Sequence, residues 1–334
     1  MSDRRGTVLV TGGAGFIGSH LVSRLVDCGH AVRVLELPNA SVSHLPLAHI
    51  ELLRGDIRDR SIVAAAVQGC SHVYHLAANP NLWCQKRGLF LQVNYRGAMN
   101  VLEEALAAGA RRILHTSTES ILTRKQQCTA IAEDQHVTAR DAIGPYCRSK
   151  YLAERHAFRL AKAGAPVVIV NPTLPVGPGD FGRSPPTQML LDFCRGKRRE
   201  YIRAEVNMID VRDVAEGMVR AMETGGPGRR YLLGHENLAI KQVFDMMAVL
   251  TGLPRPVRRV PYPVALAVAY ASELYSDVVT HRPPAATVTG VKLAGRRMHF
   301  EARRSLEELG LKPRPIRQSL ADALAWFHSV GWLL

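Results

Sequence analysis

Two side chains suited to proton transfer lie four positions apart in the segment YCRSK, at Tyr146 and Lys150. Because positions four apart share one face of a helix, a helix here places the lysine one turn behind the phenol. A phenol with its ordinary pKa of about 10 is a poor base at neutral pH, but a nearby positive charge such as an ammonium lowers that pKa. The pair therefore predicts a phenolate that takes a proton from a substrate hydroxyl. The alternative is an ordinary pair on a surface helix.

The hydroxyl-rich segment HTSTES, at residues 115–120, also has side chains that could take part in catalysis. It covers the end of a strand predicted over 111–116 and the turn that follows. At the carboxyl edge of a sheet, where the phenol also points, a hydroxyl can hold a substrate oxygen during proton transfer. The alternative is that these side chains only cap the turn after the strand.

The segment TVLVTGGAGFIGSHL, at residues 7–21, has the order of strand, glycine turn and helix start that binds a nucleotide pyrophosphate. Gly12 can turn with a positive φ, Gly15 lets the phosphates approach the backbone, and Gly18 lets the helix lie close to its strand. Free amide groups at the helix start, from Phe16 onward, face the anion. The segment therefore predicts a bound dinucleotide. If this is a nicotinamide cofactor, its positive ring adds to the lowering of the Tyr146 pKa, and Lys150 has the reach to hold the nicotinamide ribose.

Residues at the ends of the following strands refine this prediction. Glu36 ends a strand predicted over 31–36, and its carboxylate can accept both ribose hydroxyls of an adenosine while repelling a 2′-phosphate. We therefore expect NAD rather than NADP, unless this is only a surface acid. Asp56 either takes the adenine amino group or is simply a turn residue. Ala77 and Ala78 leave room for the ribose and phosphates after a central strand.

Apolar periodicity divides the chain into two parts. Strands and helices alternate up to a turn-rich linker at 171–180, which predicts an α/β fold: a Rossmann-type doubly wound parallel sheet over 1–171. Residues 172–334 are expected to form a smaller mixed substrate domain over the cofactor crevice. Further strands are predicted at 50–53, 72–76 and 166–170, with short ones near 202 and 230, and helices at 89–108, 146–163, 185–196, 211–223, 239–252 and 315–330.

The charge of the chain is strongly basic, with a formal net charge of +14 over 334 residues. Such a field favours anionic ligands, whether a nucleotide-linked substrate or an acidic membrane surface, although a solvated basic face is the simpler interpretation. Nucleic acid is not expected, because aromatic residues are few and no nucleic-acid module is recognisable. The basic residues cluster at Arg195, Lys197, Arg198, Arg199 and Arg203, at Arg255, Arg258 and Arg259, at Arg296 and Arg297, and at Arg303 and Arg304.

Cysteine spacing and the N-terminus indicate the compartment. The cysteines at 28, 70, 84, 128, 147 and 194 show neither CxxC pairs nor metal-ligand spacing, so we expect reduced thiols, no disulfide and no metal. The first apolar run is the nucleotide strand itself rather than a cleavable leader, which favours a cytoplasmic protein.

One apolar segment, YPVALAVAYASELY at 262–275, is too short to span a bilayer. With Arg258 and Arg259 just before it, this helix could lie on an anionic membrane surface. The alternative is that it packs against the domain's own core or a partner subunit.

Together these motifs resemble the extended short-chain dehydrogenase/reductase family. TGGAGFIG is similar to its glycine turn, and later segments, among them NMIDVRDVAEGM and LPRPVRRVPYPVALAVAYASELY, look like its hopanoid-associated sugar epimerase branch, which neighbours dihydroflavonol-reductase-like enzymes. The resemblance implies NAD as cofactor and a homodimer formed through the helices starting near 89 and 146. It also implies a set of cofactor contacts at Gly12, Gly15, Phe16, Ile17, Gly18, Glu36, Asp56, Ile57, Leu76, Ala77, Ala78, Asn94, Thr116, Tyr146, Lys150, Pro172 and Thr173.

The same resemblance assigns the catalytic groups. Tyr146 and Lys150 match the family's catalytic pair, and its third hydroxyl falls at Thr118, with Ser117 as the alternative. Glu119 is a candidate additional general acid or base, whereas Ser120 replaces a glutamate that water elimination needs. Asp210 stands where relatives commonly have histidine.

Three functional interpretations follow. The first is an NAD-dependent epimerase of a sugar or sugar nucleotide, in which the substrate is oxidised to a ketone and reduced on its other face. The second is a dehydrogenase or reductase of a lipophilic alcohol or ketone, such as a sterol or hopanoid derivative. The third is a cofactor-bound regulator without turnover. In the first two, Tyr146 takes the hydroxyl proton and Thr118 orients the oxygen while hydride goes to the nicotinamide.

Overall fold

A parallel sheet of seven strands forms the centre of the molecule, described by a computed structural model for residues 6–125, 129–197 and 200–333. Cys128, Arg198 and Arg199, which the sequence analysis considers, lie outside these residues. The strands are β1 (Thr7–Thr11), β2 (Val32–Glu36), β3 (Ile50–Arg54), β4 (Cys70–His75), β5 (Arg112–Thr116), β6 (Val167–Pro172), β7 (Leu174–Val176), β8 (Glu200–Ile202), β9 (Glu205–Asp210), β10 (Arg230–Leu233), β11 (Glu236–Ala239) and β12 (Arg258–Val260).

The helices alternate with the strands up to β6, as the periodicity predicts. They are α1 (Phe16–Asp27), α2 (Arg60–Val67), α3 (Gly88–Phe90), α4 (Ala98–Ala107), α5 (Gly144–Lys162), α6 (Pro185–Cys194), α7 (Val211–Thr224), α8 (Ile240–Thr251), α9 (Tyr262–Tyr275), α10 (Val288–Ala294), α11 (Arg303–Glu308) and α12 (Ile316–Ser329). A π-helical turn, Leu91–Gly97, joins α3 to α4, so the helix predicted at 89–108 is one element with a widened first half. A second π-helical turn, Ser276–Thr280, continues α9.

The strand order of the large sheet is β10-β6-β5-β4-β1-β2-β3, and all its pairs are parallel. The order reverses beside β1, which pairs with both β2 and β4. In doubly wound sheets, a ligand binds at the carboxyl ends of the strands at this reversal. The Rossmann-type fold class is therefore confirmed, and the glycine turn lies at the reversal.

Alternation along the strands divides the core into two layers. Val8 and Val10 pack with α1 and α7 on one face, whereas Leu9 packs with α2 and α4 on the other. All three side chains are buried, because neighbouring residues of a strand point to opposite faces and helices cover both. This burial on both faces explains the continuous apolar run in the sequence.

The smaller C-terminal part has its own mixed sheet, in which β9 pairs with β7 in parallel and with β11 antiparallel. Helices α6, α8 and α12 pack on it around a separate core that includes Leu190, Phe244 and Phe327. A two-stranded parallel pair, β12 with β8, lies apart from both sheets. The predicted mixed C-terminal domain is confirmed in this respect.

The chain returns to the large sheet after the predicted boundary at 172. Strand β10 pairs with β6 at the edge of the large sheet, and α7 packs against α1 on its face. A cut at 172 therefore separates β10 and α7 from the sheet that they complete. The sequence could not show this, because a four-residue strand near 230 fits the edge of either sheet. Asp210, at the end of β9, caps α7 by accepting from Arg212 N at 2.8 Å, which gives this residue a structural role.

Candidate active site

The glycine turn between β1 and α1 has the geometry that the sequence predicts. Gly12 has φ of +72°, a region that side chains disfavour, and its amide donates to Leu35 O at 3.0 Å. A Cβ at Gly18 would overlap the carbonyl oxygen of Gly12 and lie 2.9 Å from Gly13 Cα. At Gly15, the N-cap of α1, a Cβ would meet only Gly12 O at 3.3 Å. The turn therefore keeps an open backbone face at a helix N-terminus, as an anion site requires.

Glu36 lies at the mouth of this turn. Its Oε2 accepts from the amide of Ala14 at 3.0 Å and its Oε1 accepts from the amide of Leu37 at 3.0 Å. The sequence prediction that this acid faces the adenosine ribose is compatible with this position. Asp56 instead accepts from Arg58 Nε at 2.9 Å, and this hydrogen bond holds the pKa of the Asp56 carboxyl below its usual range. The turn interpretation accounts for Asp56 in this structure, and its adenine contact stays a prediction.

The carboxyl ends of β1 and β4 are joined by hydrogen bonds. Thr11 Oγ1 bonds His75 Nδ1 at 2.8 Å and accepts from Ala77 N at 3.3 Å, while Leu76 N donates to Thr11 O at 3.1 Å. Leu76, Ala77 and Ala78 thus line the edge beside Gly12, where a Cβ would lie 2.7 Å from Ala77. Glycine is needed at position 12 because the backbones of Gly12 and Ala77 approach closely.

Asn94 ties the π-helical turn to the segment after β4. Its Oδ1 accepts from Asn79 N at 2.7 Å, and its Nδ2 donates to Asn79 O and to Ser149 Oγ, each at 3.1 Å. Such π turns often mark functional sites. Asn94 therefore connects the edge of the cofactor crevice to α5, the helix that carries Tyr146.

Tyr146, Thr118 and Glu119 meet at the carboxyl edge of β5. Thr118 Oγ1 donates to Glu119 Oε2 at 2.8 Å, and Phe90 packs edge-on against the Tyr146 ring with centroids 6.3 Å apart. Burial raises the pKa of Glu119 to about 7. Burial and then the Glu119 charge raise the pKa of the Tyr146 phenol, which a hydrogen bond with Thr118 partly offsets. The predicted lowering of this pKa thus depends on a positive charge supplied by the bound cofactor.

Lys150 lies on the same face of α5 as Tyr146, as the spacing predicts. Its Nζ donates to the carbonyl oxygen of Thr116 at 2.6 Å. Burial lowers the pKa of Lys150 to about 8, and the charge of Glu154 opposes this shift. The buried hydroxyls of Thr116 and Ser117 have no hydrogen-bond partner here. Unpaired buried hydroxyls beside an ammonium fit a polar ligand such as a nicotinamide ribose, so these residues and the glycine turn suit NAD.

The sequence analysis missed a buried network that positions Thr118. Asn171 Nδ2 donates to Thr118 O at 2.9 Å and to Glu154 Oε2 at 2.8 Å. Glu154 also forms an ion pair with Arg230 of β10 at 2.5 Å. One signal was available, because Tyr146, Lys150 and Glu154 repeat at four-residue spacing along one helix face.

The other predicted cofactor contacts divide between the crevice and the core. Phe16 and Ile17 begin α1 and are partly exposed beside the turn. Ile57 is buried under the π-helical turn, where a Cβ at Gly97 would lie 2.6 Å from its Cδ1. Pro172 ends β6, and Thr173 is buried and donates to Leu233 O at 2.9 Å. The structure thus shows only a structural partner for Thr173, and its nicotinamide contact stays a prediction.

The fold and the site define a Rossmann-type enzyme with a Tyr-x-x-x-Lys helix beside its dinucleotide turn. A family model confirms this class: the NAD dependent epimerase/dehydratase family matches residues 8–234, and the chain belongs to this family. It is therefore an NAD-dependent enzyme of the epimerase and oxidoreductase type.

Similar proteins cover the whole chain. A Synechocystis protein named provisionally as a dihydroflavonol 4-reductase is 35% identical over 97% of this chain and 95% of its own. The sterol demethylase protein B of Methylococcus capsulatus is 32% identical over 98% of this chain and 100% of its own. The crystal structure of the protein gox2253 superposes with a TM-score of 0.86 at 33% identity, over 98% of this chain and 99% of that one.

Replacing Glu36 by Ala is expected to weaken the discrimination against NADP. The carboxylate repels a 2′-phosphate, so its removal should lower the ratio of the Kd for NADP to the Kd for NAD by about tenfold or more. Titration of both cofactors by calorimetry measures this ratio. Glu51→Ala, which removes a carboxylate from neighbouring β3, is the matched control and should leave the ratio unchanged. A wild-type preference for NADP would refute the assignment of Glu36.

Proposed function

We propose that the protein oxidises a secondary alcohol of a lipophilic substrate to a ketone with NAD, and catalyses the reverse reaction. The observation that carries the proposal is the meeting of Tyr146, Thr118 and Lys150 at the sheet edge that also holds the glycine turn. A phenol and a hydroxyl that lie side by side can together bind the oxygen of an alcohol and remove its proton.

The residues divide the work of proton transfer. Thr118 orients the substrate oxygen. Asn171 holds Thr118 in place, because its Nδ2 donates to the carbonyl oxygen of Thr118 at 2.9 Å. Tyr146 takes the hydroxyl proton during oxidation and returns it during reduction. Lys150, held by Thr116 O, brings an ammonium close to the place of the nicotinamide ribose. Bound NAD supplies the acceptor for the hydride.

The surroundings of Tyr146 support a lipophilic substrate. The phenol packs against a cluster of apolar side chains contributed by both parts of the chain, including Leu82, Leu293, Met298 and Phe300. The basic residues that could suit a diphosphate are not members of this cluster: Arg195, Lys197, Arg203, Arg255, Arg258, Arg259, Arg297, Arg303 and Arg304 are exposed and Arg296 is partly exposed. The two named relatives above carry names of enzymes of polycyclic compounds.

Epimerisation of a sugar or sugar nucleotide is the second candidate, favoured by the name of the family. The same residues serve both reactions, because an epimerase also begins by oxidising an alcohol. The difference lies in the fate of the hydride, which an epimerase returns to its own substrate.

Net formation of NADH distinguishes the two functions. We expect absorbance of NADH to rise in proportion to ketone formed when the purified protein and NAD are given a cyclodextrin-solubilised sterol or another polycyclic secondary alcohol. UDP-glucose should give neither NADH nor an epimer. Conversion of the sugar nucleotide without net NADH, with no reaction of the alcohols, would replace this proposal with the epimerase.

Replacing Glu119 by Gln is expected to shift the pH dependence of alcohol oxidation to lower pH. The Glu119 charge raises the pKa of the Tyr146 phenol, and this carboxyl, with its pKa of about 7, is charged above neutral pH. Without that charge the phenol loses its proton at lower pH, so kcat/KM reaches half its maximum at a lower pH than in the wild type. The control Glu119→Asp keeps the charge and should keep the profile. An unshifted profile for the glutamine variant would show that Glu119 does not act on the phenol.

We also propose a cytoplasmic homodimer that pairs through the π-helical turn with α4 and through α5. Light scattering at several protein concentrations measures the oligomeric state, and a monomer throughout would contradict this part of the proposal.

A further inference from the structure

Helix α9 buries two of its alanines and exposes most of its large apolar side chains. Ala265 and Ala269 are buried against Val291 of α10, whereas Val268 is 54% exposed and Leu274 is 65% exposed. A helix on the surface of a protein in water has the opposite arrangement, with its apolar stripe toward the core. The arrangement of α9 therefore calls for a partner on its outer side.

The outer side forms one continuous apolar surface, which we name the α9 face. It consists of exposed apolar side chains of α9 and its π-helical extension: Val264, Val268, Leu274, Tyr275 and Val278. Val264 and Val268 are four positions apart and so share one side of the helix, as do Leu274 and Val278. Each of these is more than half exposed, and exposed Tyr270 and Val279 border them. Continuous apolar surface of this kind marks an interaction site.

Charged residues around the α9 face are sorted by sign. Residues 255–297 contain seven Lys or Arg residues but only two acids, Glu273 and Asp277. Both acids are paired with Arg87, and Asp277 also accepts from Trp83 Nε1 at 2.9 Å. In the sequence the basic residues precede and follow α9: Arg255, Arg258, Arg259, Arg282, Lys292, Arg296 and Arg297. Arg258 and Arg259 lie in β12, two residues before the helix, and Lys292 Nζ lies 5.6 Å from the centre of the exposed Tyr270 ring.

We propose that the α9 face docks on the surface of an anionic lipid bilayer. The helix lies in the plane of the interface, with its valine and leucine side chains among the acyl chains and the arginines at the headgroups. No helix in the described parts of the chain is long and apolar enough to cross a membrane, so the contact is with one leaflet. A second copy would bring two basic rims together, whereas an anionic leaflet supplies opposite charge.

The α9 face adjoins the candidate active site through two contacts. Arg87, which pairs with Asp277, precedes α3, and Phe90 of α3 packs on the Tyr146 ring. Glu273 Oε1 accepts from Val288 N at the start of α10 at 2.7 Å, and Leu293 of α10 belongs to the apolar cluster against which Tyr146 packs. Docking therefore places the bilayer beside a wall of the site, where a lipophilic alcohol can enter, although the docking itself does not depend on the reaction.

Sedimentation with vesicles tests the docking independently of catalysis. We expect the full chain to bind vesicles of phosphatidylcholine mixed with phosphatidylglycerol and to dissociate from them in high salt. It should not bind vesicles of phosphatidylcholine alone. Leu274→Glu should lower the affinity by about tenfold or more, and Arg255→Glu combined with Arg259→Glu should do the same. The matched control is Val249→Glu, a residue of α8 that is 58% exposed and should not affect binding.

Several results would overturn the proposal. They are failure of the wild-type chain to bind phosphatidylglycerol vesicles, equal binding by the Leu274→Glu variant, and equal loss in the Val249→Glu control. Light scattering of the same variants tests the competing occupant, a second copy of the chain. If the wild type is a dimer that does not bind vesicles, and Leu274→Glu converts it to a monomer, the α9 face is a dimer interface. Because these measurements involve no turnover, they remain informative if the proposed substrate class is wrong.

Discussion

Replacing Tyr146 by Phe is expected to lower kcat by about 10²–10⁴-fold, the usual contribution of a positioned acid or base. The variant keeps the aromatic ring that packs on Phe90 and removes only the hydroxyl. NAD affinity should therefore remain that of the wild type, since the phenol is one contact among many with the cofactor. Calorimetry measures the affinity, and production of NADH from a lipophilic alcohol measures the rate.

The matched control for this prediction is Tyr151→Phe, which removes a phenol from the same helix. Tyr151 lies five positions after Tyr146, so it faces a different side of α5. Its loss should leave kcat near the wild-type value. Full activity in the Tyr146→Phe variant, or an equal loss in both variants, would break the assignment of the proton acceptor.

Replacing Gly18 by Ala is expected to disable the glycine turn. The new Cβ would overlap the carbonyl oxygen of Gly12. Neither atom can rotate away, because the backbone fixes the position of a Cβ and the oxygen is itself a backbone atom. Over-packed sites lose about 1–3 kcal/mol, and here the loss should appear as a lower Tm, weaker NAD binding or both. Thermal denaturation with and without NAD separates these effects.

The chain offers a matched control at Gly88, the first residue of α3. A Cβ there meets nothing within 4 Å, so Gly88→Ala adds the same methyl group without a clash. We expect this variant to keep the Tm and NAD affinity of the wild type or to exceed them slightly. If Gly18→Ala behaves like Gly88→Ala in both measurements, the close approach at the turn has no role in binding.

Features that depend on neighbouring residues could be predicted from the sequence. The glycine turn combines a positive φ at Gly12 with a close approach at Gly18, and each is a local requirement that glycine alone meets. The contact of Lys150 with the end of β5 follows from its four-residue spacing to Tyr146 and from the order of the elements. Strands buried on both faces were recognisable as continuous apolar runs.

Features that depend on residues far apart in the chain could not be predicted in the same way. Asn171 meets Thr118 across 53 positions, and Arg230 meets Glu154 across 76. The pairing of β10 with β6 in the large sheet could not be predicted for the same reason, since the four residues of β10 carry no pattern that identifies their partner strand. For Asp56 the sequence left two interpretations open, and its contact with Arg58, two positions away, agrees with the turn interpretation, while the adenine contact stays a prediction.

Helix α9 shows where pattern and environment disagree. Its sequence is apolar nearly all round, which is typical of a buried helix. The structure buries only the side with alanines, because α10 packs closely there, and leaves the valines outside. The sequence thus indicated an interaction and could not show which side of the helix makes it.

The central claim is that Tyr146 and Thr118 hold the reacting oxygen beside bound NAD. A crystal structure with NAD and an unreactive analogue of a lipophilic alcohol tests it most directly. We predict that the Tyr146 and Thr118 hydroxyls each lie about 2.6–3.2 Å from the analogue's oxygen, in a crevice shared with the nicotinamide. An analogue bound with its oxygen away from both hydroxyls, or a phenol turned out of the crevice, would contradict the account.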